Sequence, residues 1–222
     1  LLSSDPKDRD TQLEGLRATA DELLRTDLDK AVQFLPRMQR QHGLPLIEVC
    51  LLVLKELNID QYKEFRGHVR SLIEADGQCS IFEYALQRIV LRHLDRHFFG
   101  EVKRKGHDAE LVKQSKVALV AALAALTHSD EAEVRSAFEA GLLQFSEPGL
   151  SKLRVAISDG LREMDQALTV LEALEVQDKQ TVLDACVACV FSDKHLAIGE
   201  AELLRAIASS LGLPVPPFEA VA

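Results

Sequence analysis

The chain repeats itself. Residues 51–94 and 168–211 align without a gap at an offset of 117 positions, which carries Leu51 onto Leu168. Such a repeat is a strong constraint, because both copies must fold the same way locally. Positions the fold needs recur, and positions that only one copy uses diverge. The identities are Leu51/Leu168, Val53/Val170, Leu54/Leu171, Leu57/Leu174, Asp76/Asp193, Ile81/Ile198, Glu83/Glu200, Leu86/Leu203, Arg88/Arg205 and Leu94/Leu211. Amphipathic helices match one another by leucine alone, so the Asp, Glu and Arg matches carry the case for duplication. Each copy centres on an acidic turn: Ala-Asp-Gly-Gln-Cys-Ser-Ile-Phe-Glu at 75–83, and Ser-Asp-Lys-His-Leu-Ala-Ile-Gly-Glu at 192–200.

Between breakers, nearly every segment carries the apolar spacing of a helix. Residues 10–25 set Leu13, Leu16, Ala20, Leu23 and Leu24 on one side, and 27–41 continue the pattern with a kink or break at Pro36. The first copy begins with an apolar helix of buried type, 45–57. Asp60 is the expected N-cap of the next helix, which runs through Ala75. Ser80 and Glu83 then have the spacing of a capping box and start a helix to about Leu94. A polar, basic turn (95–107), a long helix (108–127) and a shorter one begun by Ser129 (130–145) lead to the second copy. No segment alternates like a strand. The expected fold is all-α, with nine to eleven helices and two related units packed together. Its divisions are N-terminal helices at 1–43, a first unit at 44–107, connecting helices at 108–150, and a second unit with a Pro-containing tail at 151–222.

Composition agrees with that reading. Hydrophobic residues make up 47% and charged residues 27%, enough for a packed core, while aromatics at 5% favour helix over strand. A net charge of -9 argues against nucleic acid as a partner. No apolar run approaches the roughly 18–20 residues that cross a bilayer. The longest, 117–126, suits a buried helix. The first residues show no basic start and no cleavage pattern, and no initiator Met, so the expectation is an excised part of a longer protein. Four cysteines without framework spacing point to a reducing compartment, the cytoplasm.

Candidate chemistry is sparse. Asp76 with Glu83, and Asp193 with Glu200, allow two readings. In the structural one, the Asp accepts turn N–H groups and the Glu caps the following helix, where the dipole favours an anion. In the functional one, both carboxylates converge on a cation. A calcium loop would want oxygens where Cys79, Leu196 and Ile198 stand. The Cys186-x-x-Cys189 pair has redox or half-zinc spacing, but its repeat counterparts are Val69 and Leu72, which marks it as core. His93 and His97 share a helix face, but Leu94 stands where a metallopeptidase would carry its Glu. Arg88, Arg92, Arg96, Lys103, Arg104 and Lys105 form the one basic stretch, a candidate contact surface for an acidic partner or anionic lipid. No phosphate loop, nucleophile elbow or kinase signature is present, so no catalytic residue is assigned and this chain is expected not to be an enzyme.

The stretches 44–48, 61–66, 72–77, 81–88 and 91–94, with 184–189, 199–207 and 213–217, resemble the C-terminal region of bacterial membrane-bound zinc metallopeptidases of the M48 (Ste24-like) family. The turns, with Ala-Asp-Gly in the first copy, also resemble the TerB helical fold. The resemblance implies a non-catalytic regulatory or protein-interaction region on the cytoplasmic face of the inner membrane. Its partners would be the parent's peptidase domain, a substrate or an adaptor, with contact to the membrane surface. Zinc would belong to the absent peptidase domain, and this chain would hold no cofactor or metal. The alternative is a metal-ion-responsive sensor using the Asp/Glu turns.

Overall fold

The computed structural model describes residues 6–34, 43–74, 81–100, 108–147, 150 and 160–214. Ten α-helices are described: α1 (Pro6–Thr19), α2 (Glu22–Val32), α3 (Gly43–Leu54), α4 (Ile59–Glu74), α5 (Ile81–Phe99), α6 (Ala109–Thr127), α7 (Glu131–Leu142), α8 (Gly160–Leu171), α9 (Val176–Val190) and α10 (Ile198–Leu211). No strand occurs among the described residues, so the fold is all-α. No described helix is long and apolar enough to cross a membrane.

The repeat is visible in the helix boundaries. Displaced by 117 residues, α3 coincides with α8 from first residue to last, and α4 and α5 begin where α9 and α10 begin. The chain divides into two compact units, Leu1–Gly100 and Glu101–Ala222. The first holds α1 to α5 and the second α6 to α10. The helices expected to connect the copies, α6 and α7, pack with α8 and α9 in the second unit.

Several caps differ from expectation, each because a neighbouring side chain reaches the free N–H groups better. Asp21 accepts from Leu24 N at 2.8 Å, so one expected helix is split into α1 and α2. Asn58, not Asp60, caps α4: its Oδ1 accepts from Asp60 N and Gln61 N, both at 3.0 Å, while Gln61 Oε1 accepts from Asn58 N. Asp60 instead pairs with Lys63 on the surface. Asp130 rather than Ser129 caps α7, accepting from Ala132 N and Glu133 N.

In the first unit α5 is the central helix, burying Ala85, Leu86, Ile89, Val90 and Leu94. Tyr62, fully buried on α4, stacks on Phe98 with centroids 4.4 Å apart and donates its hydroxyl to Asp95 at 2.6 Å. Burial, and then the Asp95 carboxylate, push the Tyr62 phenol well above its usual range. Arg66 reaches the same carboxylate at 3.2 Å, bracing α4 on α5.

In the second unit α6 is central. Val117, Leu119, Val120, Ala121, Ala122, Leu123 and Ala124 are all buried, and small residues let α7, α8 and α9 pack on it. The start of α8 lies against the end of α6: a Cβ on Gly160 would be 3.1 Å from Leu126 Cγ. Lys116 is buried on α6, with Glu147 as its ion-pair partner and the Phe145 ring 5.3 Å from its ammonium. Those two contacts offset the desolvation of the charge.

Candidate functional site

The second acidic turn is fully described. A short 3-10 turn, Phe191–Asp193, ends α9, and Lys194 follows in the left-handed region at φ 63°. Asp193 Oδ1 accepts from His195 N at 2.8 Å, and Glu200 Oε2 accepts from Ala197 N at 2.8 Å. Both carboxylates are thus engaged by backbone donors of the turn. Asp76 lies outside the described residues. Glu83 is buried at the start of α5, at the position equivalent to Glu200.

The same turn explains two divergences between copies. Lys194 occupies the place of Gly77, and its positive φ is one that glycine adopts without steric cost. Ala197 occupies the place of Ser80 and offers no acceptor to the first N–H groups of α10, so only the Glu200 half of a capping box is made. Restoring the first-copy residues is expected to stabilise the second unit. Lys194→Gly should contribute about 1 kcal/mol by relieving the left-handed strain. Ala197→Ser should contribute about 1 kcal/mol by completing the box. Urea unfolding would show both as higher midpoints at unchanged slope; a lower midpoint for either would mean that the turn tolerates its present residue for another reason.

A second cluster joins this turn to the end of α6, and sequence reading missed it. Thr127 Oγ1 donates to Leu123 O at 2.8 Å, which spends its only proton, so His128 Nδ1–H donates to Thr127 Oγ1 at 2.9 Å. His128 Nε2 is then the acceptor for the Ser192 hydroxyl at 3.1 Å. This proton order matches that of a Ser–His pair in acyl transfer, but a neutral hydroxyl stands where a carboxylate would orient and stabilise the imidazolium. Its evident work is to pin the turn to α6. The partners are 64 residues apart, and no local pattern signals them.

The remaining candidates resolve individually. Cys186 and Cys189 are fully buried on α9. Burial pushes both thiols up, Cys189 to about 12, and Cys189 contacts Val120 O at 3.7 Å. Thiols held protonated in this way are poor nucleophiles and poor metal ligands. His97 Nε2 meets Lys55 O at 3.1 Å, while desolvation and then Lys55, Arg96 and Arg92 push His93 below its usual value. Among the described residues no group of three or more His, Cys, Asp or Glu is placed to hold a metal ion. Arg88, Arg92 and Arg96 lie at four-residue steps on α5, the first two half-buried and the third exposed. Lys103, Arg104 and Lys105 lie outside the described residues.

The most unusual surface is on α3. Its sequence, GLPLIEVCLLVL, carries one charge in twelve residues. Ile47 and Leu51 face the core, where α5 is the principal neighbour. On the other side Leu46 is 46% exposed, Val49 63%, Leu52 69% and Val53 66%. A helix apolar all round is normally enclosed; this one has a face in water.

No protein-family model, curated protein or solved structure matches the chain. The likeness to metallopeptidase C-terminal regions and to the TerB fold therefore rests on the sequence alone.

Proposed function

We propose that this chain is a non-catalytic interaction or regulatory region built from two TerB-like helical units, working for a membrane-bound zinc metallopeptidase at the cytoplasmic face of the membrane. The observation that carries the reading is the open apolar face of α3, since large apolar side chains grouped in water are what a protein partner covers. The partner in this setting is the peptidase domain of the parent protein, a substrate or an adaptor. The basic stretch of the sequence that includes Arg88, Arg92 and Arg96 of α5 is the second proposed contact, for an acidic partner or the membrane. Zinc and proteolysis belong to the peptidase domain, and no residue of this chain is given a catalytic role.

An ion-responsive sensor fits less well, because among the described residues no third His, Cys, Asp or Glu joins Asp193 and Glu200 to complete a cation site. The setting is tested at the gene. The reading frame upstream of Leu1 is expected to encode an H-E-x-x-H motif within a membrane protein, and a frame without one overturns the proposal. Purified chain is further expected to show no thermal shift with millimolar Ca²⁺, Mg²⁺ or Zn²⁺. A clear shift would favour the sensor.

A further inference from the structure

We infer that the open face of α3 is the seat of a single helix from another polypeptide, with an Ala/Val/Leu seam. The inference rests on the interaction reading above and specifies the partner's chemistry. The internal repeat supplies the argument, because α8 is the same helix in the second copy and its surroundings are visible. There α8 packs along α6, so that Ala167 is buried and Val170 half-buried. Their equivalents in α3 are Cys50, exposed, and Val53, 66% exposed. The core-facing positions behave alike in both copies, Ile47 with Met164 and Leu51 with Leu168 being buried. The copies therefore differ on the one side where α6 lies in the second unit, while in the first unit α3 has α5 as its principal neighbour.

The residues have diverged in the same sense. Where α8 carries Glu163, Gln166 and Thr169, α3 carries Leu46, Val49 and Leu52. Polar residues at these positions suit a helix whose outer edge meets water. Apolar ones, three residues apart, widen the stripe into a seat for a helix. The repeat selects the occupant. On the side where α8 meets the Ala/Val/Leu run of α6, α3 meets water, and the chain's net charge of -9 disfavours a second copy. The charges beside the stripe, Glu48, Lys55 and Glu56, are mixed in sign. The sequence of α6, with its Ala/Val/Leu run, has that chemistry and serves as the probe.

Cys50 sits within the stripe and reports on its occupancy. In full chain carrying Cys79→Ser, with Cys186 and Cys189 buried, the rate of maleimide labelling at Cys50 is measured with and without a peptide of the α6 sequence. At ten times its dissociation constant the peptide is expected to slow labelling about tenfold by mass action. A scrambled peptide of the same composition should give no protection. Leu46→Glu with Val53→Glu should abolish the protection, and Leu143→Glu, on an exposed position of the second unit, should leave it intact. Absence of protection, or protection that survives the α3 substitutions, overturns the inference. So does a dimer in sedimentation whose Cys50 is shielded without peptide, which would make a second copy the occupant. Failure here leaves the metallopeptidase setting standing, and an upstream frame without H-E-x-x-H leaves a positive labelling result standing.

Discussion

Replacing Gly141 by valine is expected to destabilise the second unit by about 3 kcal/mol or more, as an overpacked core position with little room to yield. Gly141 lies on α7 where it crosses α6 and α9. A Cβ there would fall 2.5 Å from Val120 Cγ1, 3.0 Å from Ala185 O and 3.2 Å from Cys189 Cβ. The valine side chain can turn, but the Ala185 carbonyl belongs to the α9 backbone and moves only with the helix. Better helix propensity than glycine returns less than about 1 kcal/mol. The measurement is a urea midpoint at unchanged slope. Val120→Ala in the same chain should recover part of the loss, since it removes the nearest clashing atom, and the coupling in that double-mutant cycle is the decisive readout. An unshifted midpoint for the valine variant would mean that the three helices do not approach this closely.

Leu168→Ala is expected to cost about 3 kcal/mol, within the range for leucines truncated in a closed core. Leu168 is fully buried on α8, enclosed by α6 and α10. Its repeat partner Leu51 is also buried, but on a helix whose far side is open, so its cavity can be filled by water or by a shift of α3. Leu51→Ala should therefore cost about 1–2 kcal/mol, at the low end of the same series. The two variants are identical in chemistry and differ only in enclosure. Equal losses would show that α3 is as fully covered as α8, and would remove the basis for treating its outer face as a surface.

Periodicity and the offset of 117 made much of the fold legible, because an α-helix declares itself within one or two turns of sequence. The agreement of α3 with α8 follows from that. The expected cap at Asp60 failed where two polar residues stand close together, since which one caps depends on whether its oxygen reaches the free N–H groups, and Asn58 does so with help from Gln61. The break at Asp21 was hidden for the same reason: apolar residues on both sides continue the pattern across it. Comparison of the copies placed Cys186 and Cys189 in the core, where burial is the main cause of their raised thiols, joined for Cys186 by the neighbouring Cys189. Enclosure was not legible. The apolar run of α3 reads as a buried helix, and whether a neighbour covers it is decided by tertiary packing. The Ser192–His128 contact was hidden likewise, because nothing in either segment refers to the other.

The match between α3 and α8 also bears on the order in which the chain is made. During synthesis α6 is complete some thirty residues before α8 begins, and α3 is already present with its apolar side open. The first helix of this kind available to α6 is therefore the wrong one of two near-equivalent helices, a situation that favours misassembly in internally duplicated chains. Glu163, Gln166 and Thr169 make α8 the less greasy competitor, so native pairing must win on fit. Glycine at the helix start does not decide it, because α3 has Gly43 where α8 has Gly160 against Leu126. The buried positions that differ are Met164 and Ala167 of α8, where α3 has Ile47 and Cys50. Close packing around α6 is thus also a proofreading step, which rejects the earlier and stickier helix in favour of the later one.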